Sequence, residues 1–143
     1  MVKKTFLVLI CFIGLIIFVS TLHGQGSKKT ITLPGGEVVC DLNGEWDAFV
    51  EYYGVSTGAP SHPQIMKITQ TGSSFVAIRM TADSWNKKGS QSLQGELDKS
   101  GIKKVTVLYA LRNPAEGKGQ ISDDGNKIII DDGERTRLTL TRK

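Results

Sequence analysis

The chain has 143 residues, with 18 Lys or Arg and 14 Asp or Glu, so its formal net charge at pH 7 is +4. This length fits a single domain. Two of the basic residues and none of the acidic ones lie in the first 26 residues, so residues 27–143 carry a net charge of only +2. Such a balance offers no basic stripe for a phosphate backbone and argues against a nucleic-acid partner.

The N-terminal segment has the parts of an export signal. A basic start, Lys3-Lys4, precedes an almost unbroken apolar run over residues 6–19, and small residues follow. An apolar run of about 14 residues suits a signal peptide and is short for a membrane-spanning helix. We therefore predict a signal peptide over residues 1–26 and a secreted or periplasmic protein. The alternative is an uncleaved anchor, which would be the only part of the chain in contact with a membrane.

The chain has two cysteines, and neither has the small-residue context of a lipidation site. Cys11 lies inside the apolar run and Cys40 lies well beyond it. After removal of residues 1–26 a single cysteine remains, so no intramolecular disulfide is expected. The domain must be held together by its core and its sheet hydrogen bonds, for which about 115 residues suffice. We expect Cys40 to be a half-buried thiol just before the first strand.

Residues 27–40 form a polar lead-in with a turn signal, and residues 41–143 form the predicted domain. From residue 41 onward apolar and polar residues alternate between turn residues, a pattern that predicts strands. Eight strands, named A to H, are predicted over residues 44–53, 64–70, 74–81, 91–98, 102–111, 118–122, 126–131 and 134–142. Because the connections are too short for parallel crossovers, we predict an all-β fold, an eight-stranded antiparallel up-and-down β-barrel.

The predicted connections differ between the two ends of this barrel. Those at the end where strand A starts are tight and contain glycine, as hairpin turns do. Three of the four at the other end are long, over residues 54–63, 82–90 and 112–117. The sequence therefore predicts one closed end and one mouth, framed by the A–B, C–D and E–F loops, where binding residues concentrate.

Alternation also predicts which side chains point into the barrel. The inward set includes Trp46, Ala48, Val50 and Tyr52 of strand A, Val76, Ile78 and Met80 of strand C, and Tyr109 and Leu111 of strand E. The opposite choice of face would bury Arg79 and several other charges without partners, at a large cost in free energy.

The segment Leu42-Asn43-Gly44-Glu45-Trp46 opens strand A, and a basic segment over residues 135–142 ends the meander. With these features the chain resembles the calycin superfamily of lipocalin-like and avidin-like barrels over residues 41–142. The resemblance implies that Trp46 lies at the closed end, packed by an arginine from the end of the last strand. Antiparallel pairing of strands H and A favours Arg142 for this structural role, with Arg137 as the second choice.

The sequence does not supply a catalytic set. His62, the only histidine after residue 26, lies in a Pro-flanked loop and has no neighbouring group that suggests a triad. The acidic pairs 123–124 and 131–132 precede glycines at hairpin turns, which is their ordinary position, and residues 123–126 lack EF-hand spacing. No His/Cys cluster suggests zinc or iron. We therefore expect no enzymatic activity, no cofactor and no metal.

The remaining candidate residues lie near the predicted mouth. Trp85, on the long polar C–D loop, either covers the mouth or contacts a ligand or partner. One hypothesis is a barrel that holds a small apolar molecule. The alternative is a barrel filled by its own side chains, whose loops bind an extracytoplasmic protein. The candidate ligand-binding residues are Tyr52, His62, Met80, Trp85, Tyr109, Leu111 and Asn113.

Overall fold

The computed structural model describes residues 28–143. The predicted signal peptide and Cys11 lie outside the described residues. The described part contains one 3₁₀ turn, Gly54–Ser56, and ten strands: β1 Thr30–Thr32, β2 Val38–Cys40, β3 Gly44–Tyr52, β4 His62–Thr71, β5 Ser74–Arg79, β6 Gln91–Asp98, β7 Gly101–Val107, β8 Ala115–Ile121, β9 Lys127–Asp131 and β10 Thr136–Arg142.

Strands β3 to β10 form a closed antiparallel barrel in which neighbours in the chain pair and β10 closes on β3. These eight strands correspond to the predicted strands A to H, so the predicted all-β, up-and-down barrel is confirmed. In the closing pair, Leu138 lies opposite Val50 and Arg142 lies opposite Trp46. Across residues 28–143, no helix has both the length and the apolar character needed to cross a membrane.

The strand ends that differ from the prediction by two or more residues all lie at the mouth, and three of them determine its loops. Strand β4 begins at His62, so this residue belongs to a strand and not to the preceding loop. Strand β7 ends at Val107, and β8 begins at Ala115. Val107 pairs with Ala115, and beyond it the Leu108 amide donates to the Ser92 carbonyl as the chain leaves the ladder. Residues 108–114 therefore form a loop at the mouth.

The lead-in contributes a hairpin at the closed end. Strands β1 and β2 pair antiparallel, and Val39, Cys40 and Leu42 are buried in the same core as the barrel residues. The Gln70 side chain fastens this segment, because its Oε1 accepts from the Leu42 amide at 2.7 Å and its Nε2 donates to the Cys40 carbonyl at 3.1 Å. Cys40 is 4% exposed, more deeply buried than expected, and burial raises the pKa of its thiol.

The segment that opens β3 builds the rest of the closed end. Gly44 has a φ of 129°, which side chains rarely allow, and Trp46 is fully buried. The Trp46 indole Nε1 donates to the Leu42 carbonyl at 3.0 Å, and the Arg142 guanidinium carbon lies 4.4 Å from the Trp46 ring centroid. Arg142 also donates to the Asn43 and Asp41 carbonyls, at 3.0 and 2.5 Å. Arg137 lies on the outer face and pairs with Asp131.

The predicted face of β5 is wrong. Its buried residues are Phe75, Ala77 and Arg79, whereas Val76, predicted to point inward, is 38% exposed. Both faces of this strand are mostly apolar, so alternation alone could not choose between them. The reversed face carries Arg79 into the barrel, where it lies at the mouth end of the strand.

Candidate functional site

The two halves of the barrel interior differ. The closed half is filled by buried side chains, among them Trp46, Ile68, Phe75, Leu93, Leu97, Val105, Ile128 and Leu140. In the half towards the mouth lies a cavity of about 360 Å³. All four connections at the mouth contribute residues to its lining, including Ala59, Asn86, Ala110 and Arg135. The cavity is therefore bounded by barrel strands below and by the mouth loops above.

Three neighbouring strands give this cavity a polar side, which we call the polar wall. It consists of Gln64 on β4, Arg79 on β5 and Ser92 on β6, and each side chain is at least nine-tenths buried. Strand β5 pairs with both β4 and β6, so the three residues belong to one continuous stretch of sheet. A polar group that is buried without a partner costs free energy. The hydrogen bonds of these three side chains therefore show which of their polar atoms remain unpaired at the cavity.

Arg79 is the most polar member of the polar wall and is 7% exposed. Its Nη1 donates to the Gln91 carbonyl at 3.2 Å and lies 3.4 Å from Ser90 Oγ. Its Nε has no hydrogen-bond partner among residues 28–143, and none of the ion pairs in that part of the chain includes Arg79. Burial lowers the pKa of Arg79, although guanidinium groups remain protonated in proteins.

A small network beside the polar wall fixes the orientation of Gln64. The Gln64 Nε2 donates to Asp83 Oδ2 at 2.6 Å and to His62 Nε2 at 2.8 Å. His62 Nδ1 lies 3.2 Å from the Pro60 carbonyl, which assigns the ring proton to Nδ1. Because the Asp83 carboxylate can only accept, the Gln64 amide nitrogen must face it. The amide oxygen of Gln64 is left buried without a donor from residues 28–143.

Asp83 also organises the loop that carries Trp85. Its carboxylate accepts from the backbone amides of Trp85 and Asn86, at 2.8 and 2.7 Å. Burial acts to raise the pKa of Asp83, but these hydrogen bonds and the Asn86 side chain outweigh it and lower the pKa. The Asp83 carboxylate is thus ionised, and its oxygens already accept hydrogen bonds from its own loop.

A further part of the lining comes from the end of β7, from the loop that follows it and from the start of β10. The Tyr109 hydroxyl donates to the Asp132 carboxylate and lies 3.2 Å from Thr136 Oγ1. Burial and the bond to Asp132 raise the pKa of Tyr109, so the phenol stays protonated. The Arg135 guanidinium lies 5.9 Å from the Tyr109 ring centroid, and its buried Nε has no partner in the described chain.

Apolar side chains surround the mouth, and three of them form what we call the apolar rim. They are Val55, Trp85 and Leu111, which are 70%, 46% and 81% exposed and stand on three different loops. Tyr52 links the apolar rim to the cavity, since its ring packs edge-on against Trp85 with centroids 6.3 Å apart. Burial raises the pKa of the Tyr52 phenol.

The structure brings four of the seven predicted site residues together around the cavity. They are Tyr52, Trp85, Tyr109 and Leu111, although Leu111 stands on the rim and does not point inward from a strand. His62 supports Gln64 from outside the lining, and Asn113 borders a shallow depression next to Leu111 and Arg112. Met80 does not line the cavity, because the face of β5 is the reverse of the one predicted.

The polar wall was missed by the sequence analysis. Its residues do not form a motif, because they come from three strands and become neighbours only through strand pairing. A signal was nevertheless present. Gln64 precedes Met66 and Ile68 by two and four residues, which places its side chain on their inward face once those two are taken as core.

The fold and the site together define a small closed β-barrel with a cavity at one end. Comparisons with family models, curated proteins and solved structures find no match for this chain. The eight-stranded closed barrel is compatible with a calycin-like fold. Within residues 28–143, no group of three or more His, Cys, Asp or Glu side chains is placed to hold a metal ion.

Proposed function

We propose that this protein is an exported binding barrel that holds a small, mainly apolar molecule in the cavity at its mouth. The cavity of about 360 Å³ is the observation that carries the proposal. This volume lies within the usual size range of ligand sites. Its lining combines apolar side chains such as Val50, Val107 and Leu138 with a few polar groups, as such sites do.

The position of the cavity supports the same function. The closed half of the barrel is densely packed and holds the fold, so the mouth half is free to carry a site. The apolar rim extends the apolar surface outward from the cavity, and apolar contact there would shield part of a ligand from water. The predicted mouth loops thus surround the region where a ligand would enter.

A second function, docking of an extracytoplasmic protein, is favoured by one observation. The side chains of Val55 and Leu111 are largely exposed although both are apolar, and exposed apolar clusters mark interaction surfaces. In this alternative the cavity has no ligand and the apolar rim contacts the partner directly. The two functions therefore predict different effects of filling the cavity. Filling it should weaken the binding of a small ligand but should leave the docking of a protein partner unchanged.

The test is a titration of the full chain with a neutral apolar fluorophore, N-phenylnaphthylamine, followed by the emission of the probe. Val107→Phe places a larger side chain in the cavity wall, and Val76→Phe makes the same change on the outer face of β5. We expect saturable binding that Val107→Phe weakens about tenfold or more and that Val76→Phe leaves unchanged.

Two results would contradict the ligand-binding proposal: no saturable binding by the wild-type chain, or equal binding by both variants. Far-UV circular dichroism of each variant controls for unfolding. In either case a pull-down from the periplasm or medium, with Leu111→Ser as the control variant, tests the docking alternative.

A further inference from the structure

The polar atoms of the cavity indicate the chemistry of the ligand. Four buried side-chain atoms among residues 28–143 have no hydrogen-bond partner: Gln64 Oε1, Arg79 Nε, Ser92 Oγ and Arg135 Nε. All four residues line the one cavity. Native proteins leave few buried polar groups unpaired, so a cluster of them around one space indicates groups that a ligand pairs with.

Arg79 carries the strongest of these indications. It is a buried cation, and a charge removed from water is costly unless an opposite charge compensates it. No carboxylate of the described residues forms an ion pair with Arg79. Asp83 is the acidic group that acts on it through space, but its oxygens are occupied by Gln64, by Asn86 and by the backbone of its own loop.

The rest of the lining has the same sign of charge. Arg112 and Arg135 also border the cavity, and its lining contains no Asp or Glu. Arg135 has an exposed partner, Glu134, at 3.8 Å, whereas Arg112 contacts the Ser56 hydroxyl at 3.4 Å. The lining thus has three arginines and no acidic residue, and the ionised carboxylates of Asp83 and Asp132 lie behind it, already bonded to Gln64 and Tyr109. This excess of arginines at the cavity surface favours an anion.

We propose that the cavity takes an anionic amphiphile, whose carboxylate enters first and pairs with Arg79 while its apolar tail lies against the apolar rim. This inference rests on the proposed function and specifies its ligand class. The Arg79 Nε and the Ser92 hydroxyl would donate to the carboxylate oxygens. The Gln64 amide oxygen would accept from a hydroxyl on the ligand or from a water molecule.

A carboxylate fits this site better than a neutral alcohol or a phosphate does. An alcohol would leave the Arg79 charge uncompensated in a buried place. A phosphate monoester carries a charge of about −1.5 to −2 at pH 7. Arg79 neutralises one unit of it, and the rest would depend on Arg112 and on Arg135, which already pairs with Glu134. One guanidinium and one carboxylate match in charge, and the two carboxylate oxygens can accept from Arg79 Nε and from the Ser92 hydroxyl.

The experiment compares decanoate, decanol and decyl phosphate, which share one tail and differ in the head group. Binding to the full chain is measured by isothermal titration calorimetry at one pH and one salt concentration. We expect decanoate to bind about tenfold or more tighter than decanol, with decyl phosphate between them.

Variants of Arg79 assign this preference to one residue. Arg79→Met removes the charge at similar length and should abolish the preference for decanoate while leaving decanol binding intact. Arg79→Lys keeps the charge without the planar fork and should retain part of the preference. Arg137→Met, on the outer face, is the matched control and should bind like the wild-type chain.

Thermal unfolding without ligand adds a second measurement, since loss of a buried unpaired charge should leave Arg79→Met at least as stable as the wild-type chain.

The inference is overturned if decanol binds as tightly as decanoate, if Arg79→Met keeps the preference, or if decyl phosphate binds most tightly of the three. A clear loss of thermal stability in Arg79→Met would also overturn it, because Arg79 would then serve the fold. These outcomes leave the proposed function intact as long as decanol binds. Failure of all three molecules and of N-phenylnaphthylamine to bind would refute the proposed function itself.

Discussion

Replacement of Arg142 by alanine tests the structural role of the closed end. The guanidinium lies over Trp46 at 4.4 Å and donates to the Asn43 and Asp41 carbonyls. At a partly exposed site we take about 0.5–1 kcal/mol for the cation–π contact. For each of the two hydrogen bonds we take about 1 kcal/mol, below the range for bonds to charged groups, because both lie at a partly exposed site. We therefore expect Arg142→Ala to lower the free energy of unfolding by about 2–3 kcal/mol, since the carbonyls are left without this donor.

The assay is urea unfolding of the full chain, followed by circular dichroism and analysed by linear extrapolation. Arg142→Lys keeps a cation near the indole but cannot bond both carbonyls in the same geometry, so about half of the loss should remain. Arg137→Ala, five residues away on the outer face of the same strand, is the matched control and should change the stability little. If Arg142→Ala unfolds at the wild-type urea concentration, or if Arg137→Ala costs as much, the assigned role of the guanidinium is wrong.

Two further predictions concern packing and pH. Gly95→Ala would place a Cβ 2.4 Å from the Lys104 carbonyl oxygen and 2.7 Å from the Phe75 ring, so we expect urea unfolding to show a loss of about 1–3 kcal/mol. Gly35→Ala, with open space around it, is the control, and equal stability of the two variants would contradict the packing argument. Five carboxyls have lowered pKa values: Asp83, Asp98, Asp124, Asp131 and Asp132. Burial acts to raise the pKa at all five and is the largest single effect at Asp83, Asp131 and Asp132, but hydrogen bonds to the charged form outweigh it. Their stabilisation is present above the unfolded-state pKa of 3.8 and is lost as the pH falls through the lower folded-state values. Urea unfolding at pH 7, 5 and 3 should therefore show similar contributions from these groups at the first two values and a loss at the third; a protein more stable at pH 3 than at pH 5 would contradict this sign.

The architecture could be predicted from the sequence because several independent signals agree. Tight glycine turns alternate with longer connections, the alternation of apolar residues in β10 is clean, and in β3 only Phe49 departs from it. The position of Arg142 opposite Trp46 depends only on which strands close the barrel and where each begins.

The face of β5 could not be predicted in the same way. Residues 74–80 read Ser-Phe-Val-Ala-Ile-Arg-Met, with apolar side chains on both faces, and a shift of one residue exchanges the faces. At the level of the sequence, the cost of burying unpaired charges argues against an inward Arg79. In the structure the side chain ends in a cavity, which forms only because the barrel closes and its inward side chains leave space at one end.

The end of β7 was predicted four residues too late for a related reason. Tyr109, Ala110 and Leu111 continue an apolar run, and aromatic residues favour strands. Pairing requires a partner on each side, however, and the ladder ends at Val107, opposite Ala115. The number of residues in a strand is therefore set partly by its neighbours, which the strand's own sequence does not contain.

The hairpin at the closed end also determines how the barrel is attached to what precedes it. The first described residue, Lys28, lies next to the turn between β8 and β9, where a Cβ on Gly125 would be 3.0 Å from Lys28 Cγ. The covalent connection to residues 1–27 therefore leaves from the side of the molecule opposite the mouth. A bilayer or a sensor surface that holds the protein through this connection would be joined to the base of the barrel. For binding measurements on a surface, the protein is therefore best immobilised through its N-terminus, which leaves the mouth free.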